Sequence, residues 1–132
     1  MIRTINCKAI LFSFLLLMSG CFSQHRLDFD RDQLALVSCD ERIKIKHINV
    51  RAVGDEGIGY EIKIKGEKSG SNVIYLERPN KDYYVNDDDF EFEPNKEYII
   101  TSTQGDSSLE MRIFTDSNGR VDSVSNEFKC LN

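Results

Sequence analysis

Apolar and polar side chains alternate with a period of two over most of the chain. Leu34-Ala35-Leu36-Val37 is the first short apolar run of the body and reads as a buried strand. From Arg42 onward, Ile43 and Ile45 alternate with Lys44 and Lys46, which sends the two sets to opposite faces of an extended segment. The phase slips at His47, because Ile48 and Val50 carry the other parity. A bulge, or a strand that crosses between sheets, absorbs a slip of this kind. Tyr60, Ile62 and Ile64 then alternate with Glu61, Lys63 and Lys65, and Val73-Ile74-Tyr75-Leu76 forms a short continuous apolar run. Tyr83-Tyr84-Val85 follows, then Phe90 and Phe92 set against Asp89, Glu91 and Glu93. Leu109, Met111 and Ile113 alternate again, and Val121, Val124 and Phe128 complete a final strand pair.

Turn chemistry separates these runs. Gly54-Asp55-Glu56-Gly57, the loop 66–72 and Arg78-Pro79-Asn80-Lys81 interrupt the pattern, while Asp116-Ser117-Asn118-Gly119 ends in the Asn-Gly pair favoured in hairpins. Helical periodicity does not persist beyond one turn after residue 20. About seven to eight short strands at regular spacing predict an all-β, antiparallel sandwich of immunoglobulin or fibronectin type III type, with a small closed barrel as the second choice. Residues 92–100 resemble the part of fibronectin type III-like sandwiches where Pro and a turn precede a Tyr that opens a strand. The resemblance implies that the Tyr98 hydroxyl bonds back to the loop in a tyrosine corner, while a plain core Tyr fits the residues equally well.

The first twenty residues are of another kind. Arg3 and Lys8 precede an apolar core at 9–18, and small Ser19 and Gly20 follow it, which are the three parts of a secretory signal. Ten residues rise only ~15 Å as a helix against a hydrocarbon layer of ~30 Å, so a permanent membrane span is not expected. Met18-Ser19-Gly20-Cys21 resembles the lipobox of bacterial lipoproteins. The resemblance implies cleavage before Cys21, a diacylglyceryl thioether on its sulfur and acylation of the new amine, which together hold a protein stably on a membrane. Phe22 rather than Asp follows, and this resembles the outer-membrane-directed class, facing the periplasm. The domains are then a signal peptide at 1–20, a tether at 21–33 and a sandwich at 34–132.

Charge and cysteine content narrow the function. Losing Arg3 and Lys8 with the signal takes the net charge from −5 to −7. An acidic domain without a basic stripe argues against nucleic acid and against adhesion to anionic lipid, and mildly favours a basic protein partner. With Cys7 removed and Cys21 lipidated, Cys39 and Cys130 remain, and two cysteines in an oxidising compartment read as one disulfide. Neither has a second Cys or a His at metal-ligand spacing.

No catalytic constellation emerges. There is no G-x-S-x-G elbow, and the two histidines are His25 in the tether and His47 in a strand. Asp28, Asp30 and Asp32 have the first spacings of an EF-hand loop, but Gln33 stands where Gly is needed and Cys39 where the bidentate Glu is needed. Gly54, Gly57 and Gly59 precede a strand pattern rather than a helix, so they read as turn glycines. Asn86-Asp87-Asp88-Asp89 with Glu91 and Glu93 is the densest acidic stretch. Adjacent carboxylates repel unless solvated or neutralised, so this edge reads as a solvated loop, a docking edge for a basic surface or a cation site. Tyr83 and Tyr84 point to opposite faces, which leaves one available to a partner.

The expectation is a non-catalytic binding protein without a cofactor or metal. Its size, anchor, single disulfide and acidic aromatic edge resemble small enterobacterial lipoproteins described as type VI secretion immunity proteins. That resemblance implies neutralisation of a toxin delivered to the periplasm, with Tyr84, Asp87, Asp88, Asp89 and Glu91 on the partner surface. A structural lipoprotein of an envelope or secretion assembly is the alternative, and an inhibitor of host lysozyme a third.

Overall fold

The period-two pattern becomes nine antiparallel strands in the computed structural model, which describes residues 25–105 and 107–131. They are β1 (Leu27–Asp30), β2 (Ala35–Ser38), β3 (His47–Ala52), β4 (Tyr60–Ile64), β5 (Val73–Tyr75), β6 (Tyr83–Val85), β7 (Glu97–Gln104), β8 (Ser107–Thr115) and β9 (Val121–Ser125). The sheets are β1-β2-β5 and β6-β4-β3-β7-β8-β9. Together they form a sandwich. Within it, β1-β2-β5 lies against β4-β3-β7-β8 in the three-against-four order of fibronectin type III sandwiches, with β6 and β9 added at the edges.

One core joins the sheets. Leu27, Leu36 and Ile74 of the small sheet pack in a single cluster with Ile48, Val50, Ile62, Ile100, Met111 and Ile113 of the large one. Register carries this alignment across strands: Ile48 lies opposite Ile62 and Ser102, and Ile100 lies opposite Val50 and Met111. Each inward residue therefore meets inward neighbours on both sides, as a half-buried sheet requires.

The slip at His47 marks a change of partners. Ile45 makes an isolated bridge to Ser71, just before β5, whereas His47 and the residues after it pair with β4 and β7. Two residues, Lys46 and His47, lie between buried Ile45 and buried Ile48 and let the chain pass from one sheet to the other. The hairpin between β8 and β9 turns on Asp116, whose Oδ1 accepts the amides of Asn118 and Arg120 at 2.8 and 3.0 Å.

Two expectations need correction. The sandwich begins at Leu27 rather than Leu34, because the later part of the segment 21–33 read as a tether is β1. Asp30 makes this strand possible: its Oδ1 accepts the amides of Asp32 and Gln33 at 3.0 and 3.1 Å and closes the hairpin to β2. The stretch holding Phe90 and Phe92 is not a strand. It alternates in and out because its two rings pack inward from a loop, without ladder hydrogen bonds.

Tyr98, near the start of β7, is a tyrosine corner. Its hydroxyl accepts the Glu93 amide at 2.8 Å and its ring is buried. Tyr98→Phe keeps the ring and leaves that amide unpaired, so chemical denaturation should show a loss of about 1 kcal/mol.

Candidate functional site

A groove of about 530 Å³ opens where the β3–β4 turn meets the loop that follows β6. Its walls carry Asp55, Asp87, Asp89, Glu91 and Glu93, against a single cation, Arg51. Its floor is aromatic. The rings of Tyr60 and Phe90 stack at 4.1 Å with 6° between planes, and Phe92 and Tyr98 meet edge to face at 5.0 Å. Phe90 also touches Phe92 and Tyr98 edge on, at 5.1 and 6.4 Å.

The sequence holds this loop in place locally. Asn86 continues the β4–β6 ladder with its side chain: Oδ1 accepts the Glu61 amide at 2.8 Å and Nδ2 donates to the Gly59 carbonyl at 2.9 Å. Gly59 has φ +82°, and a Cβ there would sit 2.7 Å from the Val50 carbonyl oxygen. The close approach of β3 to the start of β4, which forms one wall of the groove, thus depends on a residue without a side chain. Asp87 Oδ1 accepts the Asp89 amide at 3.0 Å, and Asp55 Oδ1 accepts the Gly57 amide at 2.9 Å. The side chains of Asp89 and Glu91 are exposed and make no hydrogen bond or ion pair to another described residue.

Electrostatics and burial meet at Tyr60. Its hydroxyl donates to the Leu76 carbonyl at 2.6 Å. Burial, reinforced by Asp87, Asp88 and Glu77, pushes its pKa up to about 12. The folded chain holds this proton more tightly than the unfolded chain, whose Tyr titrates near 10. The stability it contributes is complete below pH 10 and falls as pH rises toward 12. In an alkaline titration followed at the phenolate band, the Tyr60 step should lag to about pH 12, and Tyr60→Phe should abolish it.

The residues expected on one partner surface divide into three places. Asp87, Asp89 and Glu91 share the groove. Asp88 turns toward a neighbouring hollow with Glu77, Arg78 and Lys81, on the other side of the loop. Tyr84, 66% exposed, stands on the outer face of β6 beside Lys63 and Lys65. Tyr83 is the inward partner of that pair: its hydroxyl donates to the Ile45 carbonyl at 2.5 Å and accepts the Ser71 amide at 2.7 Å. Glu93 belongs to the acidic run that the sequence marks, and it shares the groove with that run. Arg51 and Asp55 carry no such signal: they come from β3 and the β3–β4 turn, and the β3–β4 and β4–β6 pairings bring them to the loop.

Cys39 and Cys130 are bridged, with Cα atoms 5.3 Å apart. Asp28 lies beside them and its Oδ1 accepts the Cys130 amide at 2.8 Å. Both sulfurs are committed to the bridge. Asp28 and Asp30 each satisfy backbone amides. Cys21 lies outside the described residues. His47 Nε2 meets Glu61 Oε1 at 2.9 Å on the outer face of the large sheet. His25, expected in the tether, is instead buried against Ser102 of β7.

The groove gathers five carboxylates above rings that are themselves packed together, with Phe90 the least buried of them, which concentrates negative potential along its walls. No protein-family model, curated protein or solved structure matches the chain.

Proposed function

We propose that the chain is a non-catalytic binding protein, lipid-anchored through Cys21 to the outer membrane, facing the periplasm, and that it neutralises a basic toxin delivered to that compartment. The observation that carries the binding role is the acidic groove over a packed aromatic floor. The lipobox-like segment and the cysteine content support the location, and the likeness to immunity lipoproteins supports the toxin as partner.

The geometry favours presentation away from the anchor. The described chain enters at His25 beside Ser102, toward the end of β7, whereas Tyr98 of the groove lies near its start. Four residues of strand separate the two by about 13 Å, and the groove loops extend further. This separation supports a groove presented away from a tether at Cys21.

The test is made in the source strain. Deletion of the gene should make cells sensitive to toxin-delivering relatives, and supplying the protein should restore survival. Cys21→Ala should remove lipid from the N-terminal peptide, read by mass spectrometry, and release the protein from the membrane fraction. Unchanged survival after deletion, together with loss of an envelope assembly, would move the role to that assembly.

A further inference from the structure

His25 is 6% exposed although it lies two residues before the first strand. Its Nε2 lies 3.4 Å from the Ser102 hydroxyl, and its Nδ1 is buried without a hydrogen-bond partner among the described residues. Gln104, two residues along the same strand, also has a buried, unpartnered Oε1. The neighbours of Ser102 across the sheet are Ile48 and Leu109, neither of which titrates. The nearby charges on the adjoining segments are Arg26, whose guanidinium reaches the Lys129 carbonyl, Lys129 itself, and Asp28.

A neutral imidazole loses little in this setting, where one ring nitrogen meets Ser102 and the other leaves a single site unpaired. An imidazolium brings a charge and a second N–H into a site where no carboxylate of the described residues meets it. Burial alone lowers the His25 pKa, with no contribution from those charges. The cheapest relief is local. Residues 25 and 26 lie outside the ladder of β1, and a backbone bond tying them down is Cys39 N–H to the Arg26 carbonyl at 3.0 Å.

We propose that residues 25 and 26 form an acid-released latch, docked on β7 through His25 at neutral pH and undocked when the imidazole is protonated. Undocking uncovers Ser102 and adds two residues, about 7 Å, to the reach of the preceding segment. If Cys21 is the anchor, as proposed above, acidification then lengthens the tether that carries the groove. The latch itself does not depend on that reading.

The sign follows from linkage. The docked form binds its proton less readily than the free form, so docking is complete above pH 6.5 and weakens as pH falls below it. The test uses the exported protein, disulfide formed, by NMR from pH 8 to 4.5. The His25 ring should titrate below 6.5, and the protection factor of the Cys39 amide should fall by tenfold for each pKa unit separating docked from free His25. The Leu27 amide, bonded to the Phe128 carbonyl at 3.1 Å, should keep its protection and mark the event as local. His25→Phe should hold Cys39 protected throughout. A ring titrating at or above 6.5, Cys39 protection that ignores pH, or equal loss at Leu27 would overturn the proposal. The wild-type titration decides this even where His25→Phe fails to fold.

Discussion

Removing the Cys39–Cys130 bridge should cost about 3–5 kcal/mol. The two cysteines are 91 positions apart, so the cross-link closes most of the domain in the unfolded chain, where the entropy model gives its largest values. What remains without it is a seam of single hydrogen bonds. Leu27 N–H donates to the Phe128 carbonyl at 3.1 Å, Asn126 Nδ2 donates to the Leu27 carbonyl at 2.7 Å, and Asp28 receives the Cys130 amide at 2.8 Å. These bonds order the C-terminal segment only while β1 is itself in place. A domain of this size has roughly 5–15 kcal/mol in total, so the loss is a large fraction. Urea unfolding of the Cys39→Ser, Cys130→Ser double variant against the oxidised protein reads it, with the midpoint falling and the slope rising as the unfolded chain expands. An unchanged midpoint would mean that the sandwich holds its last segment by packing alone.

Reversing two charges in the groove should weaken binding of a basic partner by about 100-fold while leaving the fold intact. Asp89→Lys with Glu91→Lys puts positive charge where a cationic group would enter, and like-charge contact across an interface costs several kcal/mol. Neither carboxylate holds a hydrogen bond or ion pair to another described residue. Thermal unfolding should therefore be unchanged or slightly raised, since the variant relieves repulsion with Asp87 and Glu93. Tyr84→Ala is the natural control, because Tyr84 stands on a different surface from the groove.

Much of this architecture is legible in the residues. Tyr60, Ile62 and Ile64, and again Leu109, Met111 and Ile113, alternate over enough positions to name a strand and its inward face. The pairing of Cys39 with Cys130 follows by elimination, whereas for Tyr98 the residues fit a tyrosine corner and a plain core Tyr equally well. β1 was hidden because it holds Leu27 and Phe29 among charged residues, and its hairpin depends on a side-chain bond from Asp30. Phe90 and Phe92 mislead in the other direction, since packing against Tyr60 and Tyr98 imposes a strand-like alternation on a loop. The groove was half legible. The run 87–91 is conspicuous in one dimension, but its opposite wall, Arg51 and Asp55, comes from a hairpin more than thirty residues earlier. Side-chain direction also divides what sequence places together, sending Asp88 and Tyr84 to separate surfaces.

The central claim is that the acidic groove binds a basic protein, and a paired capture experiment tests it most directly. The oxidised domain with Cys21→Ser, and the same domain with Asp89→Lys and Glu91→Lys, are immobilised and exposed to secreted and periplasmic proteins of the source strain and its relatives. Bound proteins are identified by mass spectrometry at low and high salt. The account predicts one basic toxin held by the first domain, released by salt and absent from the second. Equal capture by both domains, or retention indifferent to salt, would contradict it.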